Sequence, residues 1–400
     1  MKFHRLTIIL CLILFFHSGL SAVQPKLPPN YPQAQYDEDK VPAYTLPELL
    51  VTQEGQKVTD ANTWLQKRRP EIIKMFAENV YGKTVVGKPA EMTWKVTSEN
   101  RNDINGTAIT KTITFYFNGK ANGPKMDVNF TLPKSAEKKP VPLVCIVEWA
   151  PKVEWLLPRG YGLATFESAQ IEPDIKSGSY EKSIRKFYNK PDTNGVAADE
   201  WGAIGAWAWG LSRIMDYAQT DKDIDSNKVI VAGFSRYGKT AMWAGAQDTR
   251  FAIIFSGESG CGGIVIARRQ FGETIKIIQE KFPHWFCKNL KKYGDNINDL
   301  PVDWHMLVAC MAPRPIYIAT AQDDLWGDPK GSFLSGKFAQ PVYDLFGEKG
   351  LGVEEMPPLE TPVGDFIGFH MRPGGHGLTE YDWTQFLNFA DKHFNKMKTQ

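Results

Sequence analysis

The sequence is poor in cysteine, has no excess of either charge, and has no long apolar run beyond its N-terminus. Its five cysteines show no Cys-x-x-Cys spacing, so the common zinc and dithiol motifs are excluded. Its 47 Lys and Arg residues face 45 Asp and Glu residues. Because no dense basic cluster with interleaved aromatic residues occurs, we expect no nucleic-acid partner. No later stretch approaches the roughly 20 apolar residues of a membrane helix, so we expect no membrane span.

Residues 1–22 have the pattern of a secretory signal peptide. Lys2 and Arg5 precede the apolar run 6–16, and small residues ending at Ala22 follow it. Such a leader is removed on export, so we expect a secreted or periplasmic protein. The leader takes two basic residues and no acidic ones, so the remaining chain has equal numbers of basic and acidic residues.

Four cysteines remain after the leader. Export permits disulfides, but the spacing of these residues decides no pairing, and we favour buried free thiols. They are Cys145, Cys261, Cys287 and Cys310.

The first part of the mature chain is predicted to be extended and then rich in β-structure. Residues 23–45 show little periodicity, and we expect an extended lead-in over the surface. We assign residues 46–400 to a single catalytic domain. A helix is predicted over Trp64–Val80, and three β-rich runs broken by Asn-Gly and Gly-Lys turn signals predict an antiparallel meander. The runs are Met92–Thr97, Ala108–Phe117 and Met126–Leu132.

From about residue 140, short apolar strands alternate with helical stretches. This alternation predicts an α/β fold, a three-layer sandwich with a mostly parallel central sheet and a β-rich N-terminal elaboration. The predicted strands are Pro142–Trp149, Gly162–Phe166, Lys228–Gly233, Phe251–Ser256, Pro315–Ala321 and a last one around His370. The predicted helices are Trp201–Gln219, Arg236–Ala246, Ile264–Phe282, Trp304–Met311, Ser335–Gly347 and Glu380–Lys396.

The segment 228–239 has the pattern of a nucleophile elbow. A β-branched strand leads into Gly233-Phe-Ser-Arg-Tyr-Gly238, and a predicted helix follows. This context places Ser235 at the apex of a tight turn, where an α/β-hydrolase holds its nucleophile. The second glycine is Gly238, one position later than in the GxSxG pattern. The alternative is an ordinary loop between a strand and a helix.

Several motifs resemble those of glucuronoyl esterases, carbohydrate esterase family 15. Gly233–Lys239 resembles the family's GxSRxGK motif, and the similarity extends over roughly residues 140–385. The resemblance implies an α/β-hydrolase fold and ester hydrolysis. Further matching motifs are Glu258-Ser-Gly-Cys-Gly-Gly263, Phe282-Pro-His-Trp-Phe286, Asp303-Trp-His-Met306, Ala312-Pro-Arg-Pro315, Asp324-Leu-Trp-Gly-Asp-Pro-Lys-Gly331 and Gly375-His-Gly377.

His376 is the predicted catalytic base. A serine nucleophile needs an imidazole within reach, and five histidines follow the leader. His376 lies in Pro373-Gly-Gly-His-Gly377, between the last strand and the last helix, where this fold places its base. A surface-loop histidine is the alternative. The other candidates are placed less favourably: His284 and His305 before the last strands, His370 inside a strand, and His393 on the polar side of the terminal helix.

Two carboxylates compete for the role of catalytic acid. Asp324 follows the strand Pro315–Ala321, the usual place in the chain order Ser, acid, His. Glu258 follows an earlier strand and matches the acid of fungal glucuronoyl esterases, and bacterial relatives commonly carry both. The resemblance therefore implies a shared role near His376. A purely structural capping role remains open for either residue.

The resemblance also implies substrate-binding residues. Arg236 would help to form the oxyanion site, and Lys239, Glu273 and Trp326 would contact the uronate. Lys239 lies one helical turn after Ser235, which fits this role. An arginine paired to a surface acid, a tryptophan packed in the core and a solvated glutamate remain the alternatives, and the Phe282–Phe286 block is expected to be core.

Phe234 and Gly377 depart from the fungal pattern. Fungal members have a cysteine at each position, so the disulfide that this pattern implies cannot form here. We therefore expect a bacterial-type member whose His376 loop is held by packing alone.

Together these features predict an esterase that hydrolyses (4-O-methyl-)glucuronoyl esters, as in the links between lignin and glucuronoxylan, by two-step acyl transfer. We expect no metal or organic cofactor, a glucuronoxylan or glucuronate-ester substrate, and a monomer. An esterase for another carbohydrate ester such as acetyl xylan, a non-catalytic sugar-binding relative and a peptidase remain alternatives.

Overall fold

The computed structural model describes residues 34–189 and 196–396. The predicted signal peptide lies outside them. One nine-stranded sheet forms the centre, with the strand order β1-β2-β3-β5-β4-β6-β7-β8-β9. The strands are β1 (Thr93–Asn102), β2 (Ala108–Tyr116), β3 (Lys125–Pro133), β4 (Val141–Val147), β5 (Gly162–Phe166), β6 (Ile224–Phe234), β7 (Ile253–Gly257), β8 (Ile316–Ala321) and β9 (Ile367–Arg372).

The N-terminal strands form the predicted antiparallel meander. β1 pairs with β2 and β2 with β3 in antiparallel register, with Ile113 opposite Val128. Buried and more exposed positions alternate along most of β3, as expected where one face of a sheet covers a core. β3 also pairs antiparallel to β5, so the meander extends the central sheet.

The remaining strands, β4 to β9, pair in parallel. Their residues alternate between two cores because successive side chains of a strand point to opposite faces. Val229 and Val231 of β6 join the larger core, whereas Ile230 and Ala232 join the smaller one. The predicted three-layer α/β sandwich is confirmed.

The longer helices are α1 (Arg69–Phe76), α2 (Ala203–Ala218), α3 (Ser235–Gln247), α4 (Ile275–Lys281), α5 (Trp304–Ala309), α6 (Pro329–Asp344) and α7 (Glu380–Lys396). α7 covers the smaller core with Trp383, Phe386 and Leu387. Shorter helical segments are Ala61–Thr63, Trp64–Arg68, Ala77–Tyr81, Asp103–Gly106, Val153–Leu156 and Ile184–Tyr188.

One predicted helix is wrong over most of its length. Within 264–282 only α4 is α-helical. Gln270 and Gly272 have φ angles of 52° and 61°, which interrupt a right-handed helix. The Thr274 hydroxyl then accepts a hydrogen bond from the Ile277 N–H and starts α4. The loop before α4 brings Glu273 to the site described below.

The described part of the lead-in contacts the rest of the chain, and the cysteines agree with expectation. In the described part of the lead-in, Glu38 pairs with Arg269 at 2.5 Å and with Lys330 at 2.7 Å. The four cysteines after the leader are buried and free. Among residues 34–189 and 196–396, no helix has the length and apolar character needed to cross a bilayer.

Candidate active site

Four predicted site residues follow four neighbouring parallel strands. Ser235 follows β6, Glu258 follows β7, Asp324 lies three residues after β8, and His376 lies four residues after β9. Because β6 to β9 are adjacent and parallel, their carboxyl ends share one edge of the sheet, where ligands of open α/β sheets bind.

The turn at Ser235 is a strained elbow. Ser235 is the first residue of α3 and has a φ of 55°, a conformation that is uncommon for a residue other than glycine. A Cβ at Gly233 would lie 2.0 Å from the Tyr237 carbonyl oxygen, and a Cβ at Gly238 would lie 2.8 Å from the Ser259 Cβ. Close contacts therefore explain both glycines, with backbone at Gly233 and with the Ser259 side chain at Gly238, the unusual second position.

His376 lies beside this elbow. Its ring packs on Phe234, the residue before Ser235, with the two ring centroids 4.6 Å apart. The His376 side chain is 42% exposed, so the imidazole is open to a ligand on one side while Phe234 covers the other.

Both candidate acids contact the same nitrogen of His376. Nδ1 lies 2.8 Å from Asp324 Oδ2 and 3.2 Å from Glu258 Oε2. Both carboxylates are buried. Since ionised carboxylates only accept hydrogen bonds, Nδ1 carries the proton in this arrangement. The shared role that the resemblance implied therefore has a geometric basis.

Burial and pairing shift the protonation of this cluster. Burial raises the pKa of Glu258 to about 7. Burial alone would lower the pKa of His376, but the hydrogen bonds that its ring donates to Asp324 and Glu258 outweigh burial and raise that pKa to about 9. The two carboxylates thus stabilise the imidazolium form, which is the form that appears when a histidine base has accepted a proton.

The same three side chains have ligand atoms within 4.8 Å of one another. A cation at this position would need Nδ1, the atom on which both carboxylates converge. The arrangement is therefore that of a histidine held by two buried carboxylates, and we assign no metal site to it.

Comparisons with known proteins identify the family of the chain. A family model described as "Glucuronyl esterase, fungi" matches residues 116–347. The carbohydrate esterase MZ0003, from an unknown prokaryotic organism, is 39% identical over 401 aligned positions, which cover 90% of this chain and 91% of that protein. The chain belongs to the glucuronoyl esterase family.

Relatives within the glucuronoyl esterase family extend this result. A solved glucuronoyl esterase from Solibacter usitatus has a TM-score of 0.85 at 43% identity and covers 89% of this chain and 100% of that chain. A 4-O-methyl-glucuronoyl methylesterase of Podospora anserina is 35% identical over 182 residues, 42% of this chain and 37% of that protein. The predicted family and the predicted α/β-hydrolase fold are confirmed.

The arginine of the glucuronoyl esterase motif, Arg236, is held by a network that the sequence does not reveal. Its guanidinium pairs with Asp174 and lies between the rings of Trp149 and Trp285, 5.1 and 5.2 Å from their centroids. Asp174 also accepts hydrogen bonds from His284 Nε2 and Trp285 Nε1, each at 2.7 Å. The expected core role of the Phe282–Phe286 block is thus incomplete, because Trp285 also forms a wall beside Arg236.

The predicted uronate-binding residues come together around Gly260. Lys239 Nζ lies 2.9 Å from Glu273 Oε2, and the Glu273 N–H donates to the Trp326 carbonyl oxygen at 3.0 Å. A Cβ on Gly260 would lie 3.2 Å from Glu273 Oε2 and 3.5 Å from Lys239 Nζ. The alternative of a solvated Glu273 is wrong, since this residue is buried.

The expectation that packing alone holds the His376 loop is also wrong. Arg372 Nη2 donates to the carbonyl oxygens of Gly375, at 3.0 Å, and of Gly377. The Gly377 N–H in turn donates to Glu258 Oε2 at 2.9 Å. No sequence pattern indicated Arg372, Asp174 or Trp149, because their contacts depend on how separate loops meet.

Proposed function

We propose that this chain hydrolyses esters of glucuronic acid, with Ser235 as nucleophile and His376 as base. The observation that carries the proposal is the position of the imidazole: His376 packs on Phe234 next to Ser235 and holds two buried carboxylates on Nδ1. With Nδ1 engaged, Nε2 is the nitrogen that accepts the serine proton. The names of the relatives, glucuronoyl esterase and 4-O-methyl-glucuronoyl methylesterase, support a glucuronoyl ester as substrate.

The reaction proceeds in two steps. Ser235 Oγ attacks the C6 carbonyl of the uronate while His376 takes its proton, and the alcohol leaves with that proton. Water then attacks the acyl-enzyme with His376 again as base and releases the uronic acid. The N-terminus of α3 stabilises the oxyanion, since backbone N–H groups and the helix dipole favour negative charge there.

Arg236 contributes to the same oxyanion site. Asp174 and two tryptophan rings fix its guanidinium. Its Nε is a buried donor that has no hydrogen-bond partner among the described residues. An unsatisfied buried donor is costly, and an oxyanion or substrate carbonyl would satisfy it.

The two acids, Asp324 and Glu258, have different roles. Asp324, at 2.8 Å from Nδ1, is the principal partner of the imidazole. Glu258 lies farther from Nδ1, at 3.2 Å, and accepts hydrogen bonds from Arg372 and from the Gly377 N–H. Glu258 therefore both anchors the loop and supports the imidazolium charge.

Lys239, Glu273 and Trp326 recognise the sugar. The buried Lys239–Glu273 pair offers donors and acceptors to sugar hydroxyls, and a tryptophan ring suits the apolar face of a pyranose. These groups distinguish a uronate from an acetyl group, which has no hydroxyls to bind.

Hydrolysis of benzyl glucuronate and methyl glucuronate beside p-nitrophenyl acetate tests this function. We expect the wild type to prefer the uronate esters, and Ser235→Ala to lose both activities. A preference for acetate would favour the esterase for another carbohydrate ester. Binding of the sugar without turnover would favour the non-catalytic relative, and activity retained in Ser235→Ala would refute the mechanism.

We also propose that the protein is exported. The predicted leader supports it, and N-terminal sequencing of the protein from its native host tests it. We expect the mature chain to begin near residue 23; a chain that keeps Met1 or Lys2 would contradict export by this leader.

A further inference from the structure

Arg372 connects the loop that carries His376 to Glu258, one of the two candidate acids. It is the last residue of β9, and its side chain is 6% exposed. Nη2 donates to Glu258 Oε1 at 2.8 Å, to the Gly375 carbonyl at 3.0 Å and to the Gly377 carbonyl. Nη1 donates to the Pro373 carbonyl at 2.8 Å. One guanidinium thus holds the backbone on both sides of His376 and the carboxylate beside its ring.

The Arg372 guanidinium is also held by Asp382, on the side of the core. Arg372 Nε donates to Asp382 Oδ2 at 2.9 Å. Asp382 is fully buried and also pairs with His370 Nε2 at 2.9 Å and accepts from the Thr379 N–H at 2.7 Å. His370 Nδ1 bonds in turn to the Tyr317 hydroxyl at 2.9 Å. A continuous chain of buried hydrogen bonds therefore runs from the core to the acid beside the base.

The loop itself provides little restraint. Three of its residues are glycines, Gly374, Gly375 and Gly377, and glycine loses more conformational freedom on ordering than any other residue. Phe234 and Gly377 stand where fungal members of the family have cysteines, so a covalent link is absent at this place. Something else must hold His376 where it can accept a proton, because catalytic groups need to be placed within a fraction of an ångström.

We propose that Arg372 is the positioning residue that holds His376 and Glu258 in their catalytic arrangement, as a noncovalent counterpart of that disulfide. The inference rests on the proposed function of His376 as the base. Arg372 touches the loop and an acid, and its effect on the reaction passes through the base. Its loss therefore lowers kcat and leaves the sugar contacts of Lys239 and Glu273, and hence KM, largely unchanged.

Two variants, Arg372→Lys and Arg372→Met, show whether the hydrogen-bond geometry of Arg372 or only its positive charge is needed. Lysine keeps the charge but cannot reproduce the planar fork that spans the three carbonyls and the two carboxylates. We expect kcat to fall by about 100-fold in both variants, the size of effect that a displacement of about 1 Å produces, with KM changed by less than about threefold. A kcat within about threefold of the wild type in both folded variants would overturn the proposal. A near-normal Arg372→Lys beside an inactive Arg372→Met would also overturn it, because charge alone would then suffice.

Arg314→Lys is the matched control. Arg314 also donates to three backbone carbonyls, of Gly245, Asp248 and Phe251. It precedes β8, however, and so lies at the amino ends of the parallel strands, opposite to the site. Replacing Arg314 also removes hydrogen bonds to three backbone carbonyls, but it leaves the position of His376 unchanged. We expect Arg314→Lys to lower the melting temperature and keep kcat; a kcat loss equal to that of Arg372→Lys would contradict a specific role for Arg372.

A cross-linked variant keeps the proposal testable if Arg372→Met folds poorly. In Phe234→Cys/Gly377→Cys/Arg372→Met, a disulfide would tie the loop to the elbow as the family pattern implies. We expect kcat to be at least about tenfold higher in the oxidised form than in the reduced form of the same protein. Equal kcat values, with the bond verified by mass spectrometry, would overturn the positioning role.

Measuring each variant on both benzyl glucuronate and p-nitrophenyl acetate separates this inference from the proposed function. A wild type that prefers acetate would refute the proposed substrate. The Arg372 variants would still have to lose kcat on acetate by the same factor, because His376 serves both reactions.

Discussion

The paired acids around His376 lead to a specific prediction about mutational coupling. Asp324 lies 2.8 Å and Glu258 lies 3.2 Å from the same nitrogen. A hydrogen bond to a charged group contributes about 1.5–3 kcal/mol. Loss of about 2 kcal/mol of support for the imidazolium would lower kcat about 30-fold. Each single removal is buffered, since the other carboxylate stays next to Nδ1.

We therefore expect Asp324→Ala to lower kcat about 30-fold and Glu258→Ala about tenfold, because Asp324 makes the shorter contact. The double variant leaves the imidazole without an acid, and the loss should approach the roughly 10⁴-fold of a triad without its carboxylate. That loss exceeds the product of the two single effects, about 300-fold, so the variants should be strongly non-additive.

The assay is kcat for benzyl glucuronate in the wild type, both single variants and the double variant, with folding checked by circular dichroism. Asp323→Ala is the matched control, since it removes the adjacent carboxylate while the imidazole keeps both of its partners. A double variant whose loss equals the product of the single losses would refute a shared role. An Asp324→Ala variant with normal kcat would refute Asp324 as the principal acid.

Two further predictions follow from the protonation and the packing of the site. His376 must be neutral to accept a proton, and its pKa is raised to about 9, so kcat/KM should rise with pH well above the ordinary histidine range. Asp324→Ala removes a cause of that shift, so the rise of kcat/KM should occur at lower pH in this variant. A rise at the same or at a higher pH would contradict the role of Asp324 as the partner of His376. A Cβ at Gly233 would lie 2.0 Å from the Tyr237 carbonyl, whereas Gly87 has no atom within 4 Å of its Cβ position. In urea unfolding, Gly233→Ala should therefore lose about 1–3 kcal/mol of stability and Gly87→Ala almost none, and equal losses would refute the packing argument.

The strands and the positions of the site residues after them could be predicted because both depend on local patterns. Short apolar runs indicated each parallel strand, and β5, Gly162–Phe166, has the predicted bounds. Since neighbouring parallel strands end at one edge, the positions of Ser235, Glu258, Asp324 and His376 after successive strands were enough to bring them together.

The contacts that hold the site depend on the tertiary structure and could not be predicted in this way. Arg372 was unremarkable at the end of a strand, and its five hydrogen bonds form only once the loop after β9 meets the ends of β7 and α7. Asp174 likewise reaches Arg236 from a loop 62 residues earlier in the chain. His393 was expected on a polar face, but it is buried and bonds to the Asp365 carbonyl at 2.9 Å, because α7 packs more of its surface than its sequence pattern indicates.

The central claim is that His376 activates the Ser235 hydroxyl. The most direct measurement is the rate at which a fluorophosphonate labels the protein, with the modified residue identified by mass spectrometry, in the wild type and in His376→Ala. We expect the label on Ser235 in the wild type and a rate lower by about 10⁴-fold without the imidazole. A label on another residue, or an unchanged rate in His376→Ala, would contradict the account.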